Sequence, residues 1–172
     1  MELDLAARDP LVVVGIDPGT RSMGFGVVGR VRGRVMRVDH GAFRPPDKAE
    51  IGERLFFLFE RLRALLLHHA PDLIALEETF FAKNAQSTLR IGEARAVVLL
   101  AAGEGKIPVL QYPTKVAKRA VTGTGSADKG LVQQMVAADL GLTEFPEPHD
   151  AADALALALC ALRDPRLDPR FR

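Results

Sequence analysis

The stretch "VVVGIDPGTRSMGFGVV", residues 12–28, contains an apolar run that stops at an aspartate, Asp17, and a second apolar segment after a turn. Residues 11–17 form a continuous apolar run up to Asp17, which is typical of a central strand covered on both faces. Strand interiors disfavour Asp and Pro, so the chain places a carboxylate at a strand end and turns at Pro18-Gly19. What Asp17 does therefore depends on which other side chains reach it.

The next two segments predict an antiparallel meander. "MGFGVVGRV" and "GRVMRVDHGAF" have the composition of strands and meet at Gly33, which favours a tight hairpin turn. Pro45-Pro46 closes this part of the sheet. The first three strands are thus expected to be antiparallel to one another.

Downstream, apolar periodicity alternates between helix and strand. Apolar steps of three and four residues predict an amphipathic helix from Ala49 to His69, followed by the short strand "DLIALEE". The remaining elements are expected to be a helix over 85–102, the strand "IPVLQYP", a short helix over 115–121, a glycine-containing loop over 122–127, a helix capped by Ser126 and running to Leu140, and a last helix over 149–162. This order predicts an α/β sheet of mixed strand direction with helices on both faces.

Length and composition predict a single domain without a membrane segment. The 172 residues suffice for one domain, and we expect residues 1–10 to be an additional N-terminal segment and residues 164–172 to form a loose tail. The single Cys160 excludes an intrachain disulfide and fits a reducing compartment. The N-terminus does not resemble a signal peptide, and no apolar run is long enough to span a bilayer, so the sequence predicts a cytoplasmic protein.

Charge is balanced overall and clustered locally. The net charge of +1 argues neither for nor against a nucleic-acid partner. One basic cluster comprises Arg30, Arg32, Arg34 and Arg37, and a second comprises Lys115, Lys118 and Arg119. Such clusters usually form the solvent-exposed surface of an element and have no further function, unless a binding or catalytic site lies beside them.

Acidic residues stand at three element ends. Asp17 ends the first strand, Glu77 and Glu78 end the fourth, and Asp150 and Asp153 begin the last helix. Taken alone, Asp17 is explained as a turn residue before Pro-Gly. The Asp150–Asp153 pair, taken alone, is explained as acidic residues that cap the N-terminus of the last helix. Taken together, carboxylates at the carboxyl ends of neighbouring strands are a candidate site for hard divalent ions. Strand alternation puts Glu77 and Glu78 on opposite faces without deciding which of them faces the site.

A pair of divalent ions would suit phosphodiester hydrolysis. Two ions about 4 Å apart can activate a water and stabilise the leaving oxygen.

Four ordered blocks carry a resemblance to a known family. The chain resembles the RuvC family of Holliday-junction resolvases from about residue 11 to residue 162, in the motifs "GIDPGTRSMGFGVV", "ALEETFFAKNAQSTLRIGEARAV", "GTGSADKGLVQQMV" and "HDAADALALAL". The resemblance implies an RNase H-like fold with a five-stranded mixed sheet. It also implies a homodimer that resolves four-way DNA junctions by paired symmetric nicks with Mg²⁺ or Mn²⁺, in concert with a branch-migration complex.

The resemblance assigns roles to individual positions. The catalytic, metal-binding acids would be Asp17, Glu77, Asp150 and Asp153, with Glu77 preferred to Glu78. The residues expected to bind DNA are Phe80, which would stack on a base, and Lys118 and Lys129, which would bind phosphates. Lys115, from the same basic cluster as Lys118, is also expected to bind DNA. The helix that contains Gly92, Ala94 and Ala96 would form the dimer interface.

Two other functions remain open at this stage. The same fold could serve as a non-catalytic module that binds four-way junctions. "GIDPGT" also resembles the first phosphate-binding loop of sugar kinases and actin-like ATPases, which would imply phosphoryl transfer.

Overall fold

A computed structural model describes Leu5, residues 8–78 and residues 84–167 of the chain. Its elements in chain order are β1 (Leu11–Asp17), β2 (Met23–Val31), β3 (Arg34–Phe43), α1 (Ile51–His69), β4 (Leu73–Glu78), α2 (Ala85–Gly105), β5 (Val109–Pro113), α3 (Thr114–Thr122), α4 (Lys129–Leu140) and α5 (His149–Leu162). The strands form one sheet in the order β3-β2-β1-β4-β5. The predicted five-stranded mixed sheet is confirmed.

Strand direction places the candidate site. β1, β2 and β3 are antiparallel, and the turn between β2 and β3 has Arg32 and Gly33 at φ 50° and 78°, the left-handed pair that tight hairpins require. β4 is parallel to both β1 and β5. The carboxyl ends of β1, β4 and β5 therefore lie along one edge of the sheet.

Each face of the sheet carries its own apolar core. On one face, α1 and α2 pack against the strands through buried residues that include Leu58 and Val98. On the other face, α5 lies directly over β1 and β2, and α3 and α4 cover α5. Because it is enclosed by the sheet and these two helices, α5 is buried along nearly its whole length, and among residues 151–162 only Asp153 is not fully buried.

Two glycines allow α5 to lie against the sheet backbone. A Cβ on Gly15 would lie 1.9 Å from the carbonyl oxygen of Ala154, and one on Gly24 would lie 2.1 Å from the carbonyl oxygen of Asp150. Neither position tolerates a side chain without movement of the helix. The close approach fixes where the first turn of α5, with Asp150 and Asp153, meets the end of β1.

Some predicted element boundaries are wrong by a few residues. The expected cap Ser126 does not cap α4, because the side chain of Asp128 accepts the hydrogen bond from the Leu131 amide at 2.8 Å. The Ser126 hydroxyl instead lies 3.0 Å from that of Thr124 within the preceding loop. Helix α1 begins at Ile51 rather than at residue 49, and α2 continues beyond residue 102 to Gly105.

The described parts of the two terminal segments are more ordered than the sequence indicates. The expected loose tail is wrong for residues 164–167, since the buried Tyr112 hydroxyl donates to Asp164 at 2.9 Å and Leu167 packs into the core. In the additional N-terminal segment, Leu5 is also part of this core. The rest of the predicted tail, residues 168–172, lies outside the described residues. In the described part of the chain, no helix is long and apolar enough to cross a membrane.

Candidate active site

Asp17 and Glu77 lie next to each other at the carboxyl ends of β1 and β4. Ile16 is in parallel register with Leu76, so the next residue of each strand emerges at the same edge, with strands about 4.8 Å apart. Both strands are apolar and buried up to this point. The two carboxylates are thus the first polar side chains at the carboxyl ends of two central strands.

Strand alternation decides between the two glutamates of β4. Leu73 and Ala75 belong to the core beneath α5, whereas Ile74 and Leu76 belong to the core beneath α1 and α2. With a period of two residues, Glu77 points to the α5 face and Glu78 to the opposite face. Asp17 follows Val13 onto the α5 face by the same rule. The packing of the two cores therefore selects Glu77, in agreement with the resemblance.

Asp150 and Asp153 complete the group from the first turn of α5. They lie one helical turn apart and are partly exposed, whereas the residues between them, Ala151 and Ala152, are buried. Pro148 is the N-cap residue of α5, and no side chain caps the helix. Capping therefore does not explain these two aspartates.

The four carboxylates influence one another electrostatically. Burial raises the pKa of Asp17 well above its ordinary value, and repulsion by Glu77, Asp153 and Asp150 raises it further. The pKa of Asp153 is also raised, mainly by burial, although the positive charges of Lys129 and Lys118 oppose this. A fold tolerates such like-charge crowding when a cation neutralises it.

The donor set suits a hard divalent ion, since carboxylate oxygens are the ligands that Mg²⁺ and Mn²⁺ prefer. Within the described residues, however, no three Asp, Glu, His or Cys side chains are arranged to hold an ion as they stand. The predicted metal cluster is thus present as a group of neighbouring charges and not as a formed coordination shell. Outer hydrogen bonds hold two of its members.

These outer hydrogen bonds come from residues that the sequence analysis missed. The Ser22 hydroxyl donates to Asp150 Oδ2 at 2.6 Å, and the Thr114 hydroxyl donates to Glu77 Oε1. Arg95 donates to the backbone carbonyl of Glu77 and to the Gln111 side chain, which anchors the end of β4. No sequence pattern indicates these contacts, because the partners are 16 to 128 residues apart.

The predicted DNA-binding residues are only partly brought to the site. Lys118 lines a small cavity together with Asp17, Glu77 and Asp153, and its ammonium group donates to the carbonyl oxygen of Ala127 at 2.7 Å. Lys129, the first residue of α4, is exposed and close enough to influence Asp153.

Of the two other predicted DNA contacts, only Lys115 belongs to the described residues. Lys115 is exposed on α3, and no contact joins it to the carboxylates. Phe80 lies outside the described residues.

A cleft of about 770 Å³ also borders Asp17. Ser22 and Asp150 line this cleft together with Asp17. Three arginines, Arg21, Arg54 and Arg90, also line it. Carboxylates and positively charged side chains thus line the same concave surface. Such a surface suits an anionic substrate, because the arginines can bind the substrate beside the carboxylates that would cleave it.

Comparison with known proteins identifies relatives of the whole domain. Residues 13–161 match the family model described as crossover junction endodeoxyribonuclease RuvC. The chain is 48% identical over 147 residues to the protein of that name from Chloroflexus aggregans, covering 86% of this chain and 90% of the relative. It is 43% identical over 150 residues to the one from Desulfitobacterium hafniense, covering 87% and 91%.

Solved structures agree with these relatives. The structure of Thermus thermophilus RuvC in complex with a Holliday junction substrate superposes with a TM-score of 0.84 at 34% identity, covering 91% of this chain and 96% of that one. The yeast mitochondrial Holliday junction resolvase shares the fold, with a TM-score of 0.62 at 15% identity and coverage of 93% and 83%.

Proposed function

The chain belongs to the RuvC family of crossover junction endodeoxyribonucleases, and from this premise we propose how its carboxylates cleave DNA. It is a divalent-metal-dependent endonuclease that resolves Holliday junctions in DNA recombination and repair. We assign catalysis and metal binding to Asp17, Glu77, Asp150 and Asp153. Membership of an endonuclease family favours catalysis over the non-catalytic and phosphoryl-transfer alternatives.

The single observation that carries the assignment is the convergence on Asp17. Burial raises its pKa, and three other carboxylates, which come from β4 and α5 and are far apart in the sequence, raise it further. Asp17, Glu77 and Asp150 are the principal ligands in this proposal, and Asp153 completes or orients the group. When bound, Mg²⁺ or Mn²⁺, as two ions, would supply Lewis-acid activation of a water and charge stabilisation at the scissile phosphate.

The chain's own residues bind and orient the DNA. Lys118 and Lys129 flank Asp153 and are suited to hold phosphates next to the scissile bond, without reading sequence. The cleft lined by Arg21, Arg54 and Arg90 also borders Asp17 and can accept the adjoining strand. Lys115 and Phe80 remain predicted DNA contacts, the latter by stacking on a base.

Cleavage of a labelled four-way junction beside a linear duplex tests the function. Paired symmetric nicks restricted to the junction and abolished by EDTA are expected with Mg²⁺ or Mn²⁺. Tight junction binding without cleavage under either metal would instead indicate a binding module.

The two glutamates of β4 provide a matched pair of variants. Glu77→Gln is expected to lower the junction cleavage rate at least about 100-fold, equivalent to about 2.7 kcal/mol of transition-state stabilisation. Glu78→Gln should cleave at close to the wild-type rate, because this side chain points to the other face of the sheet. Single-turnover cleavage measures both, and equal losses would contradict the assignment of Glu77.

The family resemblance also supports a homodimer, since two symmetric nicks need two sites related by a two-fold axis. The face of α2 that points away from the core fits such an interface. It consists of Leu89, Gly92, Ala96, Leu99 and Gly103, spaced three and four residues apart. Leu89 is 62% exposed although it is a large apolar residue. Ala94, in contrast, packs into the core and cannot contribute to the dimer interface.

A branch-migration complex remains a predicted partner.

A charged side chain on this face should separate the protomers. Ala96→Arg is expected to convert the protein to a monomer in sedimentation velocity, because the guanidinium would be buried without a partner in the interface. Ala138→Arg, at an exposed position of α4 on the other side of the sheet, is the control and should not change the oligomeric state. A dimer that persists in Ala96→Arg would place the interface elsewhere.

A further inference from the structure

We propose that Ser22 is a positioning residue that holds Asp150 in its metal-binding orientation. The inference rests on the proposed role of Asp150 and extends it to a side chain outside the carboxylate group. Ser22 stands in the loop that connects β1 to β2 and donates its hydroxyl to Asp150 Oδ2 at 2.6 Å. This is the one side-chain hydrogen bond between that loop and α5 among the described residues.

Two close backbone contacts make this hydrogen bond a rigid link. A Cβ on Gly19 would lie 2.4 Å from the Ser22 carbonyl oxygen, so the loop folds tightly back on Ser22 itself. A Cβ on Gly24 would lie 2.1 Å from the Asp150 carbonyl oxygen and 2.9 Å from Asp150 Cβ. Both the donor and the acceptor are therefore held by backbone packing within two or three residues of the hydrogen bond.

The link also connects two catalytic positions. Gly24 is paired in the sheet with Asp17, so the loop from Pro18 to Ser22 begins beside Asp17 and ends at Asp150. Asp17, Ser22 and Asp150 all line the same cleft. Moving Asp150 would consequently change its position relative to Asp17.

A hydroxyl on one oxygen leaves the other carboxylate oxygen available to an ion. Because Ser22 binds Oδ2, Asp150 retains Oδ1 as a ligand. The hydroxyl compensates part of the negative charge and removes the freedom of the carboxylate to rotate away from the repelling acids. Hydrogen-bonding partners of metal ligands typically change metal affinity by about 10- to 100-fold when they are removed.

Ser22→Thr and Ser22→Val form a matched pair of equal shape that differ in the hydroxyl. Mn²⁺ binding to the DNA-free protein is measured by isothermal titration calorimetry or by electron paramagnetic resonance of free Mn²⁺. We expect the Kd for Mn²⁺ to rise about 10-fold in Ser22→Val and to stay within about twofold of wild type in Ser22→Thr. Ser22→Ala replaces Ser22→Val if the latter does not fold, as judged by its melting curve in EDTA.

Junction cleavage supplies a second readout. In the variant without the hydroxyl, the Mn²⁺ concentration for half-maximal rate should rise by the same factor, while the rate at saturating Mn²⁺ recovers. An unchanged or tighter Kd in Ser22→Val would overturn the inference, and so would an equal weakening in both variants. Failure of the wild-type protein to cleave junctions would instead overturn the proposed function, so the two failures are distinguishable.

Discussion

Replacing Asp17 by Asn is expected to abolish junction cleavage while making the metal-free protein more stable. The loss of rate should reach at least about 1,000-fold, which corresponds to about 4 kcal/mol of transition-state stabilisation. Asp17 lies between the other carboxylates, and no neighbouring acid can take its place at the end of β1. Single-turnover cleavage of a labelled four-way junction with Mn²⁺ measures the effect.

The gain in stability has the same origin as the activity. In the native protein, burial and repulsion by Glu77, Asp153 and Asp150 disfavour the charged form of Asp17, as its raised pKa records. An Asn at this position is neutral and can donate a hydrogen bond to Glu77, so the free energy of unfolding in EDTA should increase. We expect the melting temperature to rise by more than about 2 °C, the shift that ~1 kcal/mol produces in a domain of this size.

Glu78→Gln serves as the control for both measurements, since it removes a nearby carboxylate from the opposite face of the sheet. It should change neither the rate nor the melting temperature appreciably. Junction binding by Asp17→Asn in EDTA should remain, because the residues that we propose to contact phosphates are lysines and arginines. A variant that is less stable than wild type in EDTA would show that Asp17 has a structural role instead.

Gly15→Ala is expected to be strongly destabilising although it adds a single methyl group. The new Cβ would lie 1.9 Å from the carbonyl oxygen of Ala154 and 2.8 Å from the amide nitrogen of Ala158, both in the backbone of α5. Backbone atoms cannot rotate aside, so α5 must move away from the sheet. Overpacking of this kind costs about 3 kcal/mol, which should lower the melting temperature by about 10 °C.

The activity of Gly15→Ala should also fall, because movement of α5 carries Asp150 and Asp153 away from Asp17. Gly29→Ala is the matched control in the neighbouring strand β2, where the added Cβ would meet Val38 Cγ2 at an ordinary 3.4 Å. Thermal unfolding of the two variants under identical conditions makes the comparison. Equal melting temperatures would mean that α5 does not lie as close to β1 as described.

Local patterns were sufficient for the fold and for part of the site. The apolar run that ends at Asp17, the hairpin at Gly33 and the helical periodicity of residues 51–69 depend on neighbours within a few positions. The positions of the acids at element ends are equally local. The order of elements then limits the sheet to few topologies, since parallel strands need helical crossovers.

Local patterns failed where a choice depends on distant packing. Ser126 and Asp128 are both good N-cap residues, and only the geometry of the loop before α4 decides for Asp128. The tail after residue 163 has few apolar residues, yet the buried Tyr112 hydroxyl donates to Asp164 and Leu167 packs into the core, which orders residues 164–167.

For the site, the sequence by itself determined that carboxylates stand at the ends of β1 and β4 and at the start of α5. Strand alternation left Glu77 and Glu78 open, and the family resemblance favoured Glu77. The tertiary structure shows that Glu77 lies on the same face as Asp17 and that Ser22 and Thr114 support the group. The physical reason is that strand alternation is a local property, whereas the face of the sheet that α5 covers is not. That choice depends on the glycines of β1 and β2, which let the helix approach the sheet backbone on one face.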